Sequence, residues 1–483
     1  MSNPIEGLKP AGVWKWFAEV AKIPRCSKNE AAIAAFVLAN AKKLGLECQQ
    51  DAAGNVVVRK PASAGKNNVS MVCLQGHLDM VGEKRPDKVH DFAKDPITLV
   101  RKGNTMMADG TTLGADNGIA VATHLAIMED KTLVHGPLEF LFTIDEEMGL
   151  NGANGLQPGF LKSRTLMNLD SEEEGAVYVG CSGGRDSAGV WKLETDPAPA
   201  GTAALEVKVG GLRGGHSGLE IDKGRGNALK ILNRVVVRIG SVGGRLARID
   251  GGNKRNAIPR DAAALLFVPK TKLADAKAIV SELNETCRAE LATVEPNLEI
   301  TAAAIKARGK VFKKSLQKKL TQTIAGLPHG VIKMSADIPG LVETSTNVAV
   351  ITTGKKDVTL ATSQRSSVAS EIVEIVDGVR AVFTLGGATI EGSAGYPGWK
   401  PNLNSTILKT AIATYKQLTG KEPEVKAIHA GLECGIIGEK YPGMDMVSFG
   451  PTLEGVHSPD EKIYIDTVDK YWNYLMAILG NVK

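Results

Sequence analysis

Long apolar runs are missing from this chain of 483 residues: none reaches the length of about 18 that a membrane-crossing helix needs. The beginning of the chain shows no basic region followed by an apolar stretch, so no secretory leader is read there. The six cysteines, Cys26, Cys48, Cys73, Cys181, Cys287 and Cys434, are scattered without a CxxC pair, which argues against a disulfide framework and fits reduced thiols. Also missing is a basic run long enough to track a phosphate backbone. A net charge of +5 is mild for this length, so nucleic acid is not an expected partner. Together these absences lead to the expectation of a cytoplasmic protein with no membrane or nucleic-acid partner.

What is present is ordinary globular composition, 43% hydrophobic and 23% charged, in a chain longer than one core usually supports, so two domains are expected. Several short apolar runs in it end in metal-ligating side chains. A run of roughly four to eight apolar residues bounded by turn residues reads as a buried strand of a parallel sheet. Val69 to Leu74 leads to His77 and Asp79, Leu138 to Ile144 to Asp145, Glu146 and Glu147, and Leu166 to Leu169 to Asp170. Met446 to Phe449 leads through a short loop to His457, while Asp116 follows a Gly-rich turn and opens the helical run Gly118 to Met128. In open α/β sheets ligands bind outside the carboxyl ends of the strands, so these side chains are expected to converge there.

Two histidines and three carboxylates without paired thiolates suit zinc or a neighbouring divalent ion. An extended backbone sends Glu146 and Glu147 to opposite sides, so one can ligate while the other holds a water. His77 and Asp79, two apart, face the same way, which lets Asp79 orient the imidazole without being a ligand. Buried carboxylates in this number would repel one another without cations.

The ligand candidates occupy the first 170 residues and then only His457, which points to an inserted domain. Expected boundaries are 1–186 and 396–483 for a split catalytic domain and 187–395 for the insertion, at the Gly-rich "GCSGG" and the turn-rich "EGSAGYPGWKPN". The fold class expected is α/β: a mixed, mainly parallel catalytic sheet flanked by helices, with an inserted α+β lid domain. Strand at Ala204 to Val209, helix at Asn227 to Ile239, strands near Gly244 to Ile249 and Ala263 to Val268, helix at Leu273 to Val294 and strand at Leu298 to Ile305 are followed by a comparable series. That series ends near Thr389, so the lid is expected to consist of two similar halves. Gly180 to Gly184 also match the GxSxG elbow of serine hydrolases, but "RDSAGVWKLE" alternates like a strand where an elbow needs a helix, so that reading is rejected. His90, His124, His135 and His329 receive no role.

Read in order, "GHLDM", "TTLGADNGIA", "DEEMG", "NLDSEEEG", "GGHSG", "HAGLECG" and "HSPDE" make the chain resemble the aminoacyl-histidine (Xaa-His) dipeptidases over nearly its whole length. These belong to the dizinc family that includes carboxypeptidase G, peptidase T, carnosinases and amino-acid deacylases. The resemblance implies two divalent ions, zinc first with cobalt or manganese as alternatives. Asp116 would bridge them, with His77 and Asp170 completing one site, Glu147 and His457 the other, and Glu146 as general base acting on a shared water. It also implies a cis peptide bond between Asp116 and Asn117.

The expected reaction is hydrolysis of dipeptides with a free N-terminus, Xaa-His and broader, by a monomer or homodimer. A metal-dependent deacylase or carboxypeptidase of the same superfamily is the alternative, and a non-catalytic binding protein with this fold is the weakest reading. In the resemblance His216 of "GGHSG" corresponds to a lid histidine that hydrogen-bonds the oxyanion, acting in cis or in trans. Asn256 and Arg365 resemble positions that hold the substrate carboxylate. His429, just before "AGLECG", is a candidate substrate contact.

Overall fold

A computed structural model describes residues 3–483. The chain divides into two compact units. The first extends to Gly180 and resumes over Trp399–Ala427 and Leu432–Lys483; the second comprises Cys181–Gly398 and Ile428–Gly431. The strand Gly183–Lys192 lies wholly in the second unit and pairs along its length with Asp357–Ser366. His429 lies in the short stretch Ile428–Gly431 of the second unit. Ser182 N donates to both Ile428 O and Ala430 O, each at 3.0 Å, and this ties the short loop to the second unit.

The first unit is built on an eight-stranded sheet. Its centre runs Leu138–Thr143, Val72–His77, Thr165–Asn168 and Asp445–Ser448, with every neighbouring pair parallel. The first two strands are buried at every residue and the others at all but their first, as expected for parallel strands covered on both faces. Outside this centre Glu47–Gln50 pairs antiparallel with Val56–Lys60, Val56–Lys60 antiparallel with Leu138–Thr143, and Asp445–Ser448 meets Ala176–Cys181 antiparallel. All four apolar runs that end in ligand candidates therefore lie side by side with their carboxyl ends together. The helix Ala115–Glu129 packs on the His77 strand at close range. A Cβ at Gly76 would fall 2.3 Å from Asn117 Oδ1 and 2.7 Å from Ala120 Cβ, so only glycine lets this helix approach.

The second unit holds a nine-stranded antiparallel sheet, and the order of its strands reveals the two halves. The first half reads Arg245–Gly251, Ala262–Pro269, Thr202–Gly210, Glu299–Ile305 outward from the middle. The second reads Val342–Thr353, Asp357–Ser366, Gly183–Lys192, Thr389–Gly392. The halves meet where Gly251 opposes Ile351, and each carries two helices that feed one hydrophobic core. The second half takes one of its strands, Gly183–Lys192, from the chain ahead of the first half. Helix Ala228–Ser241 starts one residue later than expected because Asn227 is its N-cap, its side chain accepting from Leu229 N and Lys230 N. Gly183–Lys192 being a strand also agrees with the rejection of the serine-hydrolase elbow.

Candidate metal centre

Side chains from the four parallel strand ends and from the head of the helix Ala115–Glu129 gather in the first unit. His77 ends its strand, and its Nε2 lies 3.1 Å from Asp116 Oδ1 and 3.4 Å from Asp170 Oδ1. His457 Nε2 lies 3.1 Å from Asp116 Oδ2 and 2.9 Å from Glu147 Oε2. Asp116 thus turns one oxygen to each group, and the ligand atoms of each triad all lie within 4.8 Å of one another. Ligand atoms of a tetrahedral site with bonds of roughly 2.0–2.1 Å are about 3.3 Å apart, so both triads have the spacing that a zinc-sized ion fits. The Asp116–Asn117 peptide is cis, as the resemblance implies.

Asp79 does more than the sequence reading gave it. Its carboxylate lies 3.3 Å from His77 Nδ1, and it also accepts from Glu146 N at 3.1 Å and Glu147 N at 3.2 Å. One carboxylate therefore orients a ligand on one strand and the glutamate pair on the next. Burial pushes its pKa up, but the bonds from His77, Glu146 N and Ser27 prevail and leave it at about 2, so it is ionised.

The electrostatics are those of a site with too much negative charge. Burial, together with the nearby Asp116 and Glu147, raises Asp170 to about 7 against the pull of His77. Burial likewise drives Glu146 well above the usual carboxylate range, with Asp170, Glu433 and Glu147 adding to it. Asp170 Oδ1 is buried with no polar neighbour closer than its 3.4 Å approach to His77 Nε2. Divalent cations in the two triads would relieve each of these, so the residues present fit two metal ions.

Two residues that the sequence reading missed hold Asp116 in place. Glu461, 2% exposed, accepts from the backbone N–H groups of Leu113, Gly114, Ala115 and Asp116 at 2.7 to 3.3 Å, fixing the turn from which Asp116 projects. Arg25 donates to the carbonyls of Leu78 and Asp79 at 2.8 Å and to that of Gly114. Glu461 stands four residues after His457 in "HSPDE", and that adjacency was the available signal; Arg25 gave none.

The remaining candidates lie in the second unit. Nδ1 of His216 accepts from Gly218 N at 3.2 Å and Leu219 N at 3.1 Å, which leaves Nε2 as the protonated nitrogen of the neutral ring. Burial and the nearby Arg365 lower its pKa to about 4, so it is neutral at pH 7. His429 Nε2 pairs with Ser345 Oγ at 2.7 Å, and Ser345 stands opposite Arg365 in the sheet. Arg365 is 6% exposed; it donates to Tyr396 Oη at 2.9 Å, its Nε has no partner, and it forms no ion pair among the described residues. Asn256 is exposed and lines, with His216, Arg213, Lys254 and Arg260, a cleft of about 980 Å³ that neither Arg365 nor His429 lines.

Residues 73–481 match the model of peptidase family M20/M25/M40. The chain is 41% identical to the cytosol non-specific dipeptidase of Escherichia coli K12 over 99% of both chains. A crystal structure of aminoacylhistidine dipeptidase from Vibrio alginolyticus superposes with a TM-score of 0.91 at 41% identity, covering 100% of this chain and 99% of that one. The aminopeptidase PepT of Bacillus cereus shares the fold at 17% identity, with a TM-score of 0.58 over 98% of this chain and 99% of that one. No helix among the described residues is long and apolar enough to cross a membrane.

Proposed function

The chain belongs to peptidase family M20/M25/M40, and from that premise we propose that it is a dipeptidase cleaving dipeptides with a free N-terminus, Xaa-His among them. The observation that carries this reading is the pair of ligand triads sharing Asp116 with Glu146 beside them. His77, Asp116 and Asp170 would hold one divalent ion, and Asp116, Glu147 and His457 the other, zinc being favoured by the donor set and cobalt or manganese being compatible with it. Such ions, when bound, polarise the scissile carbonyl and lower the pKa of water.

The chain's own residues do the rest. A Glu146 carboxylate oxygen takes a proton from the attacking water as the new C–O bond forms, then gives it to the amine nitrogen as the C–N bond breaks. Asp79 keeps Glu146 and His77 in place for this. The Nε2–H of neutral His216 donates to the oxyanion, a contact made only as charge develops on that oxygen. Arg365 receives the carboxylate of the dipeptide. A buried guanidinium without a counter-charge is costly, and a bound carboxylate would supply the missing partner. Asn256 is assigned, with Arg365, to the substrate carboxylate, and His429 to a further substrate contact. We place the protein in the cytoplasm, the compartment that the name of its Escherichia coli relative gives for that protein, as a monomer or homodimer.

The test is hydrolysis of an unblocked Xaa-His dipeptide and of its N-acetyl analogue by metal-stripped protein, with and without added zinc. Zinc-dependent cleavage of the unblocked peptide alone is the expected result. Cleavage of the blocked peptide would move the assignment to a deacylase or carboxypeptidase.

A further inference from the structure

Just below the ligands, each of the four central strands of the first unit contributes a buried polar side chain to one layer: Thr143, Gln75, Asn168 and Ser448, all 0% exposed. The four strands are consecutive in the sheet, and in register Gln75 opposes Asn168, which opposes Ser448. Hydrogen bonds join these side chains into a row across the sheet. Gln75 Nε2 lies 3.2 Å from Thr143 Oγ1, Asn168 Nδ2 donates to Gln75 Oε1 at 2.5 Å, and Ser448 Oγ donates to Asn168 Oδ1 at 2.5 Å. At one end Glu433, also 0% exposed, accepts from Gln75 at 2.5 Å and Thr143 at 2.6 Å through one oxygen. At the other, Ser171 pairs with Ser448 at 2.6 Å.

Each rung sits a short way before a ligand. Gln75 precedes His77 by two residues, Asn168 precedes Asp170 by two, Thr143 precedes Glu147 by four, and Ser448 leads into the loop of His457. Asn168 Oδ1 additionally accepts from Asp170 N at 3.3 Å, a direct link from the row to a ligand. Apolar side chains would fill this layer at less desolvation cost, but they would not specify lateral position, whereas a connected polar row fixes one arrangement.

We propose that this row is a positioning network that sets the spacing of the four strand ends so that both triads can hold a cation at once, with Gln75 as its central residue. The proposal rests on the two-cation reading above. Gln75, Thr143, Asn168, Ser448 and Glu433 act through the ligands and touch neither substrate nor metal.

The experiment is a zinc titration of metal-stripped protein in competition with a chromophoric chelator, read as the affinity of each equivalent, with thermal midpoints measured alongside. Wild type is expected to take two equivalents. Thr143→Val keeps the shape and removes the hydroxyl, and Gln75→Met removes all three amide hydrogen bonds; each is expected to weaken at least one equivalent by about 10–100-fold. Thr143→Ser, which restores the hydroxyl, should recover wild-type affinities. Gln75→Met is the riskier fold, and Thr143→Val decides the matter alone if that variant fails to fold. Unchanged affinities in folded Thr143→Val, with only the thermal midpoint lowered, would overturn the proposal and leave the row a stability feature. A wild-type protein that takes fewer than two equivalents would overturn the two-cation reading first, and the proposal with it.

Discussion

The two units are electrostatically incomplete in opposite senses. At the strand ends of the first, burial and mutual repulsion hold Asp170 at about 7 and push Glu146 above its ordinary range, which is the behaviour of carboxylates gathered without cations. In the second, Arg365 is buried with a tyrosine hydroxyl and no acid, beside His216 and His429, which burial and Arg365 push down to about 4 and about 3. One unit lacks positive charge and the other lacks negative. The contrast teaches that neither group is arranged for stability alone, since each would be better satisfied by a ligand of the missing sign.

The sharpest break is Glu146→Gln. It should lower kcat by roughly 10²–10⁴-fold while zinc content, measured by metal analysis, stays at the wild-type value. Retained turnover would remove Glu146 from its role without touching the charge argument.

Arg365→Met addresses the opposite unit. It should raise KM for a dipeptide by about 2–5 kcal/mol of lost binding, ~30-fold or more, and leave KM for the corresponding dipeptide amide nearly unchanged. Its thermal midpoint should not fall, because a buried charge without a partner has been removed.

The pH dependence of the metal-free protein tests the first unit directly. Asp170, with a folded-state pKa of about 7 against an unfolded value near ~3.9, binds more protons folded than unfolded between those limits. Stability of the metal-free protein should therefore rise as pH falls from 8 towards 5, by on the order of 1–3 kcal/mol, and chelator-treated samples followed by thermal melts will show it. The zinc-loaded protein should lack this slope. An identical slope in both would contradict the account of charge at the strand ends.

The smallest effect comes from a control within the first unit. His124 is 0% exposed, neither ring nitrogen has a partner, and its ring packs against Phe140 and Phe142. Burial lowers its pKa to about 3, so it costs stability as pH falls from ~6.5 towards 3, where the unfolded chain takes up a proton and the folded one does not. His124→Leu should raise stability by ~1–2 kcal/mol at neutral pH and flatten that acid limb, with no change in zinc affinity.

How much of this was legible in the sequence follows from what each feature depends on. His77, Asp116, Glu147, Asp170 and His457 stand beside apolar runs or turn signals, so strand ends and ligand candidates could be read together, and the structure gathers these side chains in two triads. Strand order could not, and with it went the row from Thr143 to Ser448, whose members look like stray polar residues until four strands are laid side by side. The first strand of the second half was read as a strand but not placed in a half, because its partner Asp357–Ser366 lies far along the chain. The place of His429 was not legible for a similar reason: the backbone bonds from Ser182 N to Ile428 O and Ala430 O leave no trace in composition. The unpaired state of Arg365 is an absence, and absences in three dimensions have no sequence signature.

The early position of Gly183–Lys192 has a consequence for how the molecule is made. Strands Thr202–Gly210 to Glu299–Ile305 can close their half as soon as they are synthesised, using partners from the same stretch of chain. Gly183–Lys192 cannot, since both its neighbours, Asp357–Ser366 and Thr389–Gly392, emerge only after that half is complete. During synthesis it is a bare strand with both edges open, the kind of segment that pairs wrongly with another chain. Within this unit the second half therefore waits on non-local pairing that the first half does not need, and chaperone dependence should be greater for the second half than for the first.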